Sequence, residues 1–232
     1  MRMDEADLCR MNKVLRHRLR NFASGIKNAV SLLEGELQDV MQPESREYFP
    51  LIQGECNQLQ LLTERLSLAF DPHCPVRMAA RTDVTPQPLD AVLRRVLEEN
   101  RRTFPAAEIV VEADEALRNL LIPGGTALML ALLEVICNAI EAARNQPVLL
   151  QCEAPDGELI IRVIDRGTGV GASDPAQIFL PFHTTRGKHT GIGLVIAAEL
   201  LAEHAGRLSA ATHSGGGLVV SVHLPLEKRG AS

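Results

Sequence analysis

The chain has no tryptophan, one tyrosine and an aromatic content of 3%, which leaves almost no platform for stacking nucleic-acid bases. Cationic charge is also in short supply. Lys and Arg number 24 against 29 Asp and Glu, a net charge of −5, so no electrostatic footprint for a phosphate backbone exists and nucleic-acid binding is set aside. The five cysteines (Cys9, Cys56, Cys74, Cys137, Cys152) form no CxxC pair, and the seven histidines show no HxxxH spacing. This argues against a disulfide frame or a zinc site, and for reduced, mostly buried thiols in the cytosol. No apolar run approaches the roughly 18 residues that a membrane span needs, and the N-terminus is charged where a signal peptide would be apolar. The expectation is a cytoplasmic protein without a membrane span in this chain, whose input arrives through a separate sensor protein or through sequence outside it.

What is present is a large apolar fraction, 46% of 232 residues, enough for one domain and a smaller element. The stretch Leu132 to Ala143, LLEVICNAIEAA, reads as a core helix with one polar line. At about 100° per residue, Glu134, Asn138 and Glu141 fall within roughly 60° of one another, while Leu133, Val135, Ile136, Cys137 and Ile140 occupy the rest. A helix apolar on its other sides belongs inside a fold, so this line must face something polar.

In chain order, residues 4–41 read as one long helix, because Leu8, Met11, Leu15, Leu19, Phe22, Ile26, Val30, Leu33, Leu37 and Val40 recur at steps of three and four. Pro43 stands where a second helix begins, Ile52, Cys56, Leu59, Leu62, Leu66 and Ala69 continue the spacing, and Pro50 kinks or delays it. Narrow apolar stripes on two helices cannot bury themselves alone, so a hairpin that pairs with a second copy into a four-helix bundle is expected. This places a helical hairpin at residues 1–70, a linker at 71–82 (DPHCPVRMAART, two prolines and no period), a mixed α/β domain at 83–226 and a tail at 227–232. Within the second domain, helices are expected at 89–102, 126–145 and 191–205. Strands are expected at 108–112, 120–123, 148–153, 159–165, 208–212 and 218–224, with a hairpin turn at Asp156-Gly157 and a mobile loop at 166–190. The fold class is therefore α helical hairpin followed by α+β, a two-layer sandwich with helices on one face of a mixed sheet.

Asp165 ends a strand and is followed by Gly167 and Gly169, which allow a sharp turn and close backbone approach to a ligand. A carboxylate there can accept a hydrogen bond from an exocyclic amine such as that of adenine. Gly191 and Gly193 open the next helix, where backbone amides favour phosphate. Between these turns lie Phe179, Phe182, Thr184, Thr185, Arg186, Lys188 and Thr190, two aromatics to pin a loop and two cations to meet phosphates.

Taken in this order, the residues resemble the ATP-binding domain of the GHKL superfamily, shared by histidine kinases, gyrase B, mismatch-repair ATPases and a heat-shock chaperone. LLEVICNAIEAA is similar to its Asn box, DRGTGVG to its first glycine box, FLPFHTT to its Phe box and TGIGL to its second glycine box. The resemblance implies ATP and Mg²⁺ as cofactors, Asn138 as the metal ligand, Asp165 as the adenine reader, and residues 170–190 as a lid. A neutral amide oxygen suits Mg²⁺, which usually keeps only one or two protein ligands beside phosphates. The hairpin resembles the dimerisation and phosphoacceptor module of histidine kinases, with Arg16-His17-Arg18-Leu19-Arg20-Asn21-Phe22 as the phosphoacceptor box. The resemblance then implies a homodimeric kinase in which His17 takes the γ-phosphoryl group and passes it to an Asp on a response-regulator receiver domain. Asn21, four residues after the His, is implied to position water for dephosphorylating that regulator. Neutral imidazole, the nucleophilic form, predominates near pH 7.

Two positions depart from the family pattern. Arg18 stands where most relatives carry an acid that accepts the imidazole proton, and it cannot act as a base. Glu134 or water then takes that proton, or the protein works mainly as a phosphatase or relay. Phe22 replaces the family's proline, and the usual kink in the first helix is absent. The competing readings are a noncatalytic histidine phosphotransfer or docking protein that retains the ATPase-like fold, which Arg18 favours, and a GHKL ATPase or serine kinase with an incidental His17.

Overall fold

A computed structural model of the chain describes residues 5–37, 43–71, 73–170, 174–184 and 190–226. It divides into two compact units, one up to Cys74 and one from Pro75 onward.

The first unit is a helical hairpin of α1 (Glu5–Leu37) and α3 (Tyr48–Phe70), with the short helix α2 (Pro43–Arg46) before the second arm. Side-chain bonds cross it from Ser24 to Gln60 at 3.1 Å, Lys27 to Asn57 at 2.9 Å and Glu34 to Gln53 at 3.1 Å. Numbers fall on α3 as they rise on α1, so the arms run antiparallel. Arg16, Ala23 and Val30 are buried on α1 and Phe49, Cys56 and Thr63 on α3. Both sets step by seven, the spacing that keeps one side of a helix against a partner. This seam is narrower and made of smaller residues than the expected stripe: Phe22, Ile26, Leu33 and Leu37 lie outside it and are exposed. The second arm begins at Tyr48, which puts Pro50 in its first turn, where a missing N–H costs no helical bond. The four-residue α2 takes up Pro43.

The second unit opens with a helix where a linker is expected. Pro75–Thr82 forms α4, with Ala80 fully buried. Pro75 occupies the first helical position, where proline is favoured rather than disruptive. Arg77, 11% exposed, donates to Glu199 Oε2 at 2.6 Å and to Glu203 Oε1 at 2.8 Å, while His204 Nε2 donates to the Ala80 carbonyl at 3.0 Å. Burial alone would lower the Arg77 pKa, but the hydrogen bonds and charges of Glu203 and Glu199 outweigh it and hold the guanidinium above its ordinary value.

The chain then runs through β1 (Gln87–Pro88), α5 (Leu89–Thr103), β2 (Ile109–Glu112), α6 (Glu115–Arg118), β3 (Leu121–Ile122), α7 (Gly125–Ala143), β4 (Val148–Glu153), β5 (Glu158–Ile164), α8 (Gly193–Ala202), β6 (Arg207–Thr212) and β7 (Leu218–Pro225). Five strands form one sheet in the order β2-β4-β5-β7-β6, with β2 parallel to β4 and the other pairs antiparallel, while β1 and β3 make a separate two-stranded ladder. Asp156 and Gly157 both take positive φ in the turn between β4 and β5. On β7 the alternate residues Leu218, Val220, Val222 and Leu224 are buried, and with Leu159, Ile161 and Val163 of β5 they pack into one core with α5, α7 and α8. The result is the two-layer sandwich expected from the sequence.

Helix α7 is long and apolar enough to cross a membrane by length and composition, which corrects the expectation that no run comes near that size. Its apolar residues are occupied otherwise. Ala127, Leu128, Ala131, Leu132, Val135, Ile136 and Ala139 are buried in the core of the second unit.

Candidate functional site

The polar line of α7 survives folding. Glu134, Asn138 and Glu141 are all half-buried, whereas Val135, Ile136 and Ala139 beside them are buried. Cys137 Sγ contacts Glu141 Oε1 at 3.7 Å.

Asp165 follows β5 and is 3% exposed. Its backbone N–H donates to the Leu218 carbonyl at 3.0 Å, extending the pairing of β5 with β7, and its Oδ1 accepts from the Gly167 N–H at 2.8 Å. The carboxylate is thus oriented by its own turn. Gly167 is required by contact: a Cβ there would stand 2.2 Å from the Ala142 carbonyl oxygen, at the C-terminal end of α7. Ala142 lies one turn beyond Asn138, so the strand-end carboxylate and the amide-bearing helix are locked to each other through backbone. On the other side Gly217 passes so close to Asp165 that a Cβ at 217 would lie 2.1 Å from its carbonyl oxygen. Gly217 therefore also builds the site. Its signal was present as the third glycine of Ser214-Gly-Gly-Gly, directly before an alternating strand. Gly169 adopts φ +62 beside the Gly217 carbonyl.

The second glycine turn meets the Phe segment. Gly191 has φ +64, and a Cβ on it would be 2.7 Å from the Phe182 carbonyl carbon. Its own carbonyl accepts from the Phe182 N–H at 3.0 Å. Thr190 and Gly191 are half-buried, and Gly193 is the first residue of α8. Phe179 packs against the core together with Ile178, at the end of a 3₁₀ turn (Pro175–Phe179) in which the Ala176 N–H donates to Asp174 Oδ1 at 2.9 Å. Phe182 differs: it is 63% exposed with φ +63, so one aromatic anchors the loop to the core and the other stands outward. Thr185, Arg186 and Lys188 lie outside the described residues.

In the first unit, His17, Arg18 and Asn21 are all exposed on α1. Asn21 Nδ2 lies 3.3 Å from His17 Nδ1. Next to them in sequence, Arg16 is buried and paired with Asp71 at 3.0 Å, which ties α1 to the residue that ends α3.

Chemically, the second unit offers a buried, oriented acceptor at Asp165, a neutral amide and carboxylates on one line of α7, and a helix start behind a left-handed glycine. A buried carboxylate can read an amine, the amide oxygen suits a hard cation, and the helix start suits phosphate. No cluster of three or more His, Cys, Asp and Glu suited to holding a metal by themselves occurs among the described residues. That donor chemistry fits an ion carried mainly by phosphates.

Residues 125–228 match the family described as "Histidine kinase-, DNA gyrase B-, and HSP90-like ATPase". Sporulation kinase C of Bacillus subtilis (strain 168) is 29% identical over 211 residues, 89% of this chain and 48% of that protein. The sensory histidine kinase/phosphatase NtrB of Rhodobacter capsulatus is 27% identical over 213 residues, 86% of this chain and 57% of that protein. The chain therefore spans about half the length of these curated relatives. Among solved structures, full-length ShkA in complex with AMPPNP superposes with a TM-score of 0.71 at 26% identity, covering 93% of this chain and 45% of that one. The catalytic domain of histidine kinase ThkA gives a TM-score of 0.53 at 26% identity over 61% of this chain and 94% of that one. Residues 125–228 thus match the histidine kinase-, DNA gyrase B- and HSP90-like ATPase family, and the chain over most of its length is similar to the core of histidine kinases.

Proposed function

We propose that the chain is the catalytic core of an ATP-dependent protein-histidine kinase, acting as a homodimer and passing its phosphoryl group to the receiver domain of a response regulator. The observation that carries this reading is the buried Asp165, oriented by Gly167 and clamped between α7 and the Gly217 turn. The hairpin supports it with an exposed His17 on a surface free to meet a partner. In this reading residues 1–70 dimerise and carry the phosphoryl group, and residues 83–226 bind ATP. Asp165 accepts from the adenine amine, and the amides at Gly191 and Gly193 face phosphate. Thr185, Thr190, Arg186 and Lys188 complete the phosphate contacts. Asn138 would hold Mg²⁺, which when bound neutralises charge on the phosphate oxygens.

Neutral His17 attacks the γ-phosphorus in line. An N–P bond forms, the bond to the β–γ bridging oxygen breaks with its electron pair leaving on ADP, and the ring proton passes to water or to Glu134. The phosphoryl group then moves to the regulator's Asp, and Asn21 orients the water that later hydrolyses it. Incubation with γ-labelled ATP and Mg²⁺ tests the scheme. Label that is stable to alkali, labile to acid and lost in His17→Ala and Asn138→Ala is the expected result. The exposed Arg18 favours one alternative, a noncatalytic phosphotransfer or docking protein, for which nucleotide binds but no label is taken up. Free phosphate without labelled protein would instead indicate an ATPase.

A further inference from the structure

His17 and Asn21 stand one turn apart on the exposed side of α1, with the Asn21 amide nitrogen 3.3 Å from ring atom Nδ1. With the amide nitrogen toward the ring, the contact is a hydrogen bond only in the tautomer whose Nδ1 accepts and whose proton sits on Nε2. That tautomer has no lone pair at Nε2, and its Nδ1 lone pair is covered by the amide. The next residue is of no help: Arg18 has five donors and no acceptor, so it cannot draw a proton onto Nδ1.

We infer that Asn21 is a positioning residue that selects the tautomer of His17. With its nitrogen toward the ring the imidazole is held inert; with the amide turned over, Oδ1 accepts from Nδ1–H and the Nε2 lone pair is free to attack. The last torsion of an Asn side chain is broad and roughly two-fold, so this half-turn needs no backbone movement. In the armed form the Nε2–P bond forms as ADP leaves with the bridging oxygen's electron pair. The Nδ1 proton stays on the amide oxygen's hydrogen bond until water takes it. The inference rests on the kinase reading and deepens it, since it names the group that stands in for the missing acid and explains how an Arg is tolerated next to the nucleophile.

The discriminating variant is Asn21→Asp, whose carboxylate accepts but cannot donate and so excludes the inert form. Long-range ¹H–¹⁵N spectra of the full chain, labelled at histidine and recorded near pH 8, report the ring state, with His17 identified by its loss in His17→Gln. Wild type is expected in the Nε2–H pattern, Asn21→Asp in the Nδ1–H pattern, and Asn21→Ala displaced from both. In the absence of any regulator, Asn21→Asp is expected to take label about tenfold faster than wild type at saturating ATP, with KM for ATP unchanged. The gain stays far below the ~10⁴-fold that a wrong tautomer costs a buried Ser-His-Asp triad, because this pair is exposed to water. A wild-type ring spectrum identical to that of Asn21→Ala overturns the inference, as does an Asn21→Asp variant with the new tautomer and no faster labelling. Should wild type take no label, the kinase reading fails while the ring spectra still decide the role of Asn21.

Discussion

Gly167 sits against the carbonyl oxygen of Ala142 with no room for a methyl group, so the turn after β5 and the end of α7 are held together backbone to backbone. Adding a Cβ at 167 would push two main-chain segments apart. Gly167→Ala is therefore expected to cost about 2–3 kcal/mol, the upper part of the range for overpacking, and to lower the melting temperature of the full chain. Gly157→Ala is the control, because Gly157 also has positive φ but has open space around it, and only the conformational penalty of about 1 kcal/mol applies. Thermal melts in which the two variants lose equal stability would show that the contact at 167 is not needed.

The glycine turns and the helix they frame were legible in the sequence because each is local: an Asp two residues before a glycine ends a strand, and a three-residue polar line interrupts an apolar helix. What was not legible depends on distance along the chain or on a competing local signal. Residues 75–82 read as linker because proline usually breaks helices, yet Pro75 is at the one position that tolerates it, and the partners that hold Arg77 lie over a hundred residues later. In the hairpin, the apolar stripe of α1 marked the helix but not which part of it faces α3. Arg16 belongs to the buried seam while Phe22 does not, a division that only the register of the two arms decides.

Asp165→Asn should leave the turn intact, since an amide oxygen can still accept from the Gly167 N–H. A base-reading role would suffer, because the charge is lost and an NH₂ would face the adenine amine donor-to-donor. Loss of a hydrogen bond to a charged group, about 1.5–3 kcal/mol, corresponds to a rise in Kd for ATP of about tenfold to a hundredfold. Affinity for GTP, whose base offers a carbonyl at that position, should fall less. Calorimetric titration checks both, and an unchanged ATP to GTP ratio would remove Asp165 from the base pocket.

The Arg77 pair fastens α4 to α8, whose first residue follows the Gly191 turn. Arg77→Ala leaves Glu203, a largely buried carboxylate, without this cation. A loss of about 1–2 kcal/mol is expected, below the 3–5 of a fully buried pair because Glu199 is 42% exposed. Hydrogen exchange should rise in residues 75–82 well before it rises in α7. Uniformly raised exchange, or none, would mean that α4 is not held by this pair.

Asn21 has a second consequence when a regulator is present. If it positions the hydrolytic water, Asn21→Ala should slow dephosphorylation of the phosphorylated regulator by about 10²-fold, the lower range for a group that assists proton transfer or orients a reactant. The regulator's own hydrolysis rate, measured without this chain, sets the baseline. Decay at the wild-type rate in the presence of Asn21→Ala would exclude that role.

On α1, Phe22, Ile26, Leu33 and Leu37 fall within about 60° of one another, and all four are exposed, Phe22 by 64%. Leaving this many large apolar groups in water is costly, at about 25 cal/mol per Å² of apolar surface, and the seam inside the hairpin is already filled by Arg16, Ala23 and Val30. In the proposed homodimer a second copy would offer the same stripe and satisfy both by symmetry, the arrangement of a four-helix bundle. Ile26→Asp with Leu33→Asp places two carboxylates in the middle of that contact, while neither residue belongs to the hairpin's own buried seam. The variant should therefore keep its helical circular dichroism and run as a monomer in light scattering at concentrations where wild type is a dimer. A doubly substituted chain that remains dimeric would assign the contact to another face.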